Sequence, residues 1–158
     1  GPLIREAQRQ KVESYIKSGL EENGRVAYGG GRPAGLDKGF FVEPTLFVGT
    51  GNDARIAQDE IFGPVQTFIP FRDADEAVRL ANESRYGLGG NVWTADSTFG
   101  FEIAKRIRAG FVSLNGGSGA ITNYGAYGGY KHSGLGREGP RYAIEEMTEM
   151  KFVCWKTE

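Results

Sequence analysis

The residues best suited to chemistry lie together in Asp59-Glu60-Ile61-Phe62-Gly63-Pro64-Val65, which runs on into Gln66-Thr67-Phe68-Ile69-Pro70-Phe71. An ionised carboxylate such as Glu60 accepts hydrogen bonds from sugar hydroxyls, and an aromatic face such as Phe62 packs against a flat heterocycle. Gly63 permits backbone angles that a side chain forbids, and Pro64 fixes φ at the exit. The pattern predicts a rigid turn that presents Glu60 and Phe62 at one edge of a buried strand. Taken alone, it favours a plainer reading: a helix end, a turn and a core phenylalanine.

Other reactive residue types carry less. Cys154 is the single cysteine and sits in Phe152-Val153-Cys154-Trp155. A nucleophilic thiol needs access and a neighbour that lowers its pKa; this apolar run suggests neither, so a core or interface role is expected. His132, the single histidine, has no cysteine or second histidine nearby, which points to a loop residue and away from a metal site. Gly134, Gly136 and Gly139 have Gly-x-Gly-x-x-Gly spacing. That motif must follow a strand and open a βαβ unit, whereas a polar, glycine-rich loop precedes it here, so a structural loop is expected. Glu145-Glu146 reads as a solvated helix face. No residue is assigned a catalytic or metal-binding role.

The elements that must position these residues follow from periodicity. Val12, Tyr15, Ile16 and Leu20 share one face of a helix over 5–23. Strands are expected at 25–28 and over the extended stretch 40–48, where Pro44 marks an edge or break. Asp73 with Glu76 resembles a capping box and opens a helix that ends near Asn82. A turn at 86–90 and a strand at 91–94 lead to a helix capped by Asp96 or Ser97, with Phe99, Ile103 and Ile107 on one face. Gly110 stops it, and 111–115 is another strand. Pro140 begins a short helix to about Met147, and 149–155 reads as a last strand. Alternating strands and helices predict an α/β fold built on a parallel sheet with helices on both faces.

Composition sets the outer bounds. The chain has 158 residues, 39% hydrophobic and 25% charged, with net charge −1, which suits one globular domain. No run of like charge points to nucleic acid, and no apolar stretch or signal peptide points to a membrane. One cysteine excludes an intramolecular disulfide and suits a reducing, cytoplasmic setting.

The 60–65 segment resembles a signature of the catalytic domain of NAD(P)-dependent aldehyde dehydrogenases. Gly1-Pro2-Leu3-Ile4 with Gln8, Phe41-Val42-Glu43-Pro44-Thr45 and Tyr127-Gly128-Gly129-Tyr130-Lys131-His132-Ser133-Gly134-Leu135-Gly136-Arg137-Glu138 are similar to the same family, in the same order. Ala126 and Tyr127 depart from it, standing where proline and phenylalanine are usual. The resemblance implies that Glu60 binds the ribose next to the nicotinamide of NAD or NADP and that Phe62 packs near the nicotinamide ring. It also implies that Ile121, Tyr124 and Tyr127 line the aldehyde tunnel, and that Arg137 and Glu149 form a pair near a subunit interface. Residues 1–148 would be the later part of the catalytic domain, and 149–158 an oligomerisation strand and tail of a homo-oligomer, a dimer or tetramer. Oxidation of the aldehyde to a carboxylic acid would use a cysteine thiohemiacetal whose nucleophile lies before Gly1, so the chain alone should not turn over. The alternative is a non-catalytic assembly module of the same fold.

Overall fold

The computed structural model describes residues 1–116 and 125–157. The chain divides into two compact units, Gly1–Arg72 and Asp73–Glu158.

The first unit is built around α1 (Glu6–Glu21), whose Val12, Tyr15 and Ile16 are buried as the periodicity predicts. Leu20, expected on the same face, is 52% exposed, because in the last turn it is Gly19, against Phe47 and Ile56, that faces the core. Asn23 adopts φ 66 just beyond the helix, and the Gly24 N–H then returns to the Gly19 carbonyl at 2.8 Å. Asparagine tolerates that left-handed angle better than most residues, so it closes the helix cleanly. Strands β1 (Arg25–Tyr28), β2 (Thr45–Val48) and β3 (Val65–Phe68) follow, with β2 in the centre of the sheet. β1 pairs antiparallel to β2, while β3 pairs parallel to it in the register Thr45↔Val65 to Val48↔Phe68. A four-residue helix, α2 (Arg55–Gln58), makes the crossover between β2 and β3. It is too short to leave a periodic signal. Phe47 and Val12 are fully buried, with Val42, Ala54, Ile56 and Ile61 completing the core.

In the second unit, α3 (Ala74–Asn82) begins as predicted: the Asp73 carboxylate accepts from the Glu76 N–H at 2.8 Å. The stretch expected to be a turn instead holds β4 (Tyr86–Gly87) and the start of β5 (Gly89–Val92). α4 (Ser97–Arg106) is capped by Asp96, which accepts from Phe99 N–H at 3.0 Å, and β6 (Phe111–Leu114) returns parallel to β5. Ile103 is buried, whereas Phe99 is half exposed in the first turn of the helix. β7 (Tyr130–Lys131) pairs antiparallel with β4, and α5 (Pro140–Glu146) follows. The α/β class therefore holds, with parallel pairing at β2–β3 and β5–β6. The single parallel sheet does not form within this chain: the described strands make one three-stranded and two two-stranded sheets.

The strand expected over 149–155 is also absent; these residues are irregular and exposed, Phe152 to 90%. A strand exists only where another backbone completes its ladder, and no described residue of this chain does so.

Phe47→Ala should lower stability by about 3–5 kcal/mol, the usual loss for deleting a fully buried ring. Urea unfolding checks it, and a loss under 1 kcal/mol would show that the core does not depend on Phe47.

Candidate functional site

The turn after α2 is fixed from both sides. Behind it, the Tyr15 hydroxyl donates to Asp59 Oδ2 at 3.1 Å, and the Arg55 guanidinium stacks 4.4 Å over the Tyr15 ring. Asp59 is thus tied inward, while Glu60 and Phe62 are exposed. From α1, Gln8 Nε2 donates to the carbonyls of Ile61 at 3.0 Å and Phe62 at 2.9 Å, and Lys11 Nζ approaches the Glu60 carbonyl at 3.4 Å. One helix therefore grips three successive carbonyls of the segment. Ile61 between the two exposed side chains points into the core.

The backbone departs from the sequence expectation in an informative way. The left-handed residue is Phe62, at φ 53, and not Gly63. Glycine is required at 63 for space: a Cβ there would lie 2.4 Å from Val12 Cγ2. A non-glycine residue in the left-handed region costs about 1–2 kcal/mol. Here that conformation turns the Phe62 ring outward, 73% exposed, so it is not the core phenylalanine of the plainer reading. Pro64 then leads into β3, its carbonyl accepting from Thr45 N–H at 2.7 Å. An open concavity of about 550 Å³ lies along this edge, lined by Tyr28, Thr45, Gly63, Pro64, Gln66 and Phe68. A free carboxylate and an outward aromatic face on a clamped turn are fit to receive a hydroxylated, flat heterocyclic ligand.

Tyr127 belongs to the second unit. Its N–H and carbonyl exchange hydrogen bonds with Glu138, at 3.0 and 2.6 Å, closing the base of a glycine-rich hairpin. Half-buried, it lines a concavity of about 400 Å³ together with Leu88, Arg137, Glu138, Glu146 and Met147. Ile121 and Tyr124 lie outside the described residues. Gly134 and Gly136 take positive φ in this hairpin, as does Gly139 at the start of α5, which follows.

Several expectations are corrected. Arg137 does not pair with Glu149: its Nη1 donates to the carbonyls of Gly129 at 3.0 Å and Gly136 at 2.6 Å, and it stacks 5.2 Å over Tyr130. Glu149 is exposed in the irregular segment after α5, where no ladder holds it in place. Cys154 is likewise exposed, so a core role does not apply to it in this chain. His132, by contrast, is the exposed turn residue expected, and its backbone N–H donates to the Arg85 carbonyl at 3.1 Å.

Sequence reasoning missed Gln8, Lys11 and Lys131 as holding residues. For Gln8 a signal existed, since it stands one turn before Val12 on the apolar face, where a polar side chain needs a partner.

The comparisons with known proteins decide the family. The model of the aldehyde dehydrogenase family matches residues 1–153. The chain belongs to the aldehyde dehydrogenase family. It is 46% identical over 155 residues to a putative aldehyde dehydrogenase of Staphylococcus saprophyticus, covering 98% of this chain and 32% of that protein. Among solved structures, an aldehyde dehydrogenase of Mycobacterium tuberculosis complexed with NAD+ matches at 48% identity and a TM-score of 0.89, covering 94% of this chain and 30% of that one. A betaine aldehyde dehydrogenase of Staphylococcus aureus in complex with NAD+ matches all of this chain, and 34% of its own, at 36% identity and a TM-score of 0.87. The chain thus spans about a third of the length of the aldehyde dehydrogenases it matches. No helix among the described residues is long and apolar enough to cross a membrane.

Gln8→Ala removes both hydrogen bonds that hold the turn, each worth about 1 kcal/mol. Amide hydrogen exchange across 60–65 should therefore accelerate by about tenfold or more. Unchanged exchange would mean that the turn holds itself.

Proposed function

We propose that this chain is the part of an NAD(P)-dependent aldehyde dehydrogenase that holds the nicotinamide half of the cofactor and one wall of the aldehyde site. The observation that carries the reading is the clamped turn, which commits a strained backbone to presenting Phe62 and Glu60 to the outside. The Glu60 carboxylate accepts hydrogen bonds from the ribose hydroxyls next to the nicotinamide, and the Phe62 ring packs near the nicotinamide. When bound, the dinucleotide accepts the hydride lost by the aldehyde as it becomes a carboxylic acid. Related aldehyde dehydrogenases of Mycobacterium tuberculosis and Bacillus cereus form complexes with NAD+, which supports the same ligand here. Either NAD or NADP suits the residues on this turn, because the nicotinamide half is common to both.

The nucleophilic cysteine of the reaction lies outside this chain. Cys154 is exposed in an irregular segment, outside any helix or strand that would fix its position. Tyr127, with Ile121 and Tyr124, contributes to the aldehyde wall, where the Tyr127 hydroxyl adds a polar group and so bears on substrate choice. Residues 1–148 act as part of the catalytic domain, and 149–158 as an oligomerisation strand and tail, the strand completing its ladder on a neighbouring subunit.

In the complete enzyme, Glu60→Gln should slow single-turnover hydride transfer by about 10–100-fold, the loss expected for a hydrogen bond to a charged group. Cys154→Ser should leave that rate unchanged. A Glu60→Gln rate equal to wild type would reduce Glu60 to a structural residue, and abolition by Cys154→Ser would reassign the nucleophile to this chain.

The exposed tail favours a second reading, a non-catalytic assembly module: Met150, Phe152 and Trp155 present a run of apolar surface. Both readings predict that Phe152→Asp weakens self-association in sedimentation. Only the enzyme predicts aldehyde-dependent reduction of NAD or NADP by the complete protein.

A further inference from the structure

The hairpin that carries Tyr127 is anchored by a side chain outside the Tyr127 cavity. Lys131 closes β7 with φ 54, and its ammonium reaches the end of α3. There Nζ donates to the carbonyls of Asn82 and Ser84, at 2.8 Å each. Both acceptors lie at the C-terminal end of the helix, where unpaired carbonyls and the helix dipole favour a cation. Asn82 is itself braced, donating from Nδ2 to the Arg106 carbonyl at 2.9 Å and accepting the Arg108 N–H at 2.7 Å. Burial, and secondarily the charge of Arg108, hold the Lys131 ammonium below the ordinary lysine pKa.

From Lys131 back to Tyr127 the chain has little freedom. Tyr130 and Lys131 pair with Gly87 and Tyr86, and Ser133 Oγ accepts the Gly87 N–H at 2.9 Å. Arg137 holds the Gly129 carbonyl, and Glu138 holds Tyr127 on both backbone groups. A Cβ on Gly110 would lie 1.7 Å from the Gly128 carbonyl oxygen, so the hairpin rests directly on the backbone of the next segment.

We propose that Lys131 is a positioning residue: by seating the hairpin on the carbonyls of Asn82 and Ser84 it fixes where Tyr127 stands, and so sets the aldehyde KM without touching substrate. The proposal rests on the reading of Tyr127 as part of the aldehyde wall. Loss of the ammonium frees β7 from α3 and lets the Tyr127 wall shift, loosening the aldehyde site while the reacting groups stay in place.

The test is a double-mutant cycle in the complete enzyme, with benzaldehyde as probe and saturating NAD or NADP. Tyr127→Ala should raise the benzaldehyde KM by about fivefold or more, and Lys131→Met should do the same with kcat within about twofold of wild type. In the Tyr127→Ala background, Lys131→Met should add less than about twofold, because its effect passes through Tyr127. Lys131→Arg, which keeps a cation with several donors, should restore KM to within about twofold of wild type. Equal KM effects of Lys131→Met in both backgrounds, a fall in kcat at constant KM, or an Arg variant as impaired as Met would each overturn the proposal. An unchanged KM in Tyr127→Ala would overturn the reading of Tyr127 itself. An unchanged KM in Lys131→Met beside a raised one in Tyr127→Ala would overturn only the role of Lys131. If Lys131→Met does not fold, Lys131→Gln, which keeps N–H donors and loses the charge, carries the same cycle with the same outcomes.

Discussion

The candidate cofactor turn depends on the contact between α1 and residues 60–63. Gln8 spends both amide hydrogens on the carbonyls of Ile61 and Phe62, and the missing side chain at Gly63 lets Val12 approach the backbone. The two effects reinforce each other. Without the close approach the amide of Gln8 would not reach both carbonyls, and without the hydrogen bonds the left-handed Phe62 would lose its compensation. Ile61 adds the third element by burying its side chain with Val12, Tyr15 and Phe47. An apolar residue pulled inward between two exposed neighbours fixes which way Glu60 and Phe62 face.

The hairpin of the second unit uses the same kinds of force in other proportions. Its backbone carries few apolar side chains, so burial contributes little. Close backbone approaches at Gly110 and Gly128, the guanidinium of Arg137 and the ammonium of Lys131 take that role. Charged donors on carbonyls make stronger hydrogen bonds than neutral ones, which suits a segment that must hold shape with little core. Lys131 bears the conflict: burial disfavours its charge, while two carbonyls at a helix end reward it.

Exposed apolar groups on this chain differ in kind. Phe62 is exposed because a hydrogen-bonded turn holds it outward, a conformation that costs free energy and is specified by several residues. The tail after α5 is exposed because it lacks a ladder, and its residues have no fixed register within the chain. The first is a side chain held outward by its turn; the second is an irregular segment.

Local signals in the sequence determined the elements with caps and periodicity: α1 from Val12, Tyr15 and Ile16, α3 from the Asp73 cap, α4 from the Asp96 cap, and the parallel strands from their alternation with helices. Such features depend on neighbours along the chain, and so they are legible without a fold. Motifs in the right order also pointed to the aldehyde dehydrogenase family, which the match over 1–153 established. The tertiary structure decided what depends on residues distant in sequence. It put the left-handed angle at Phe62, and it made Gly63 necessary for space, because Val12 occupies the position a side chain there would take. It turned Arg137 from Glu149 to the carbonyls of its own hairpin, because a guanidinium takes the acceptors that the backbone brings within reach. It also left 149–155 without strand structure, since a ladder is a property of two backbones and one sequence supplies only the first.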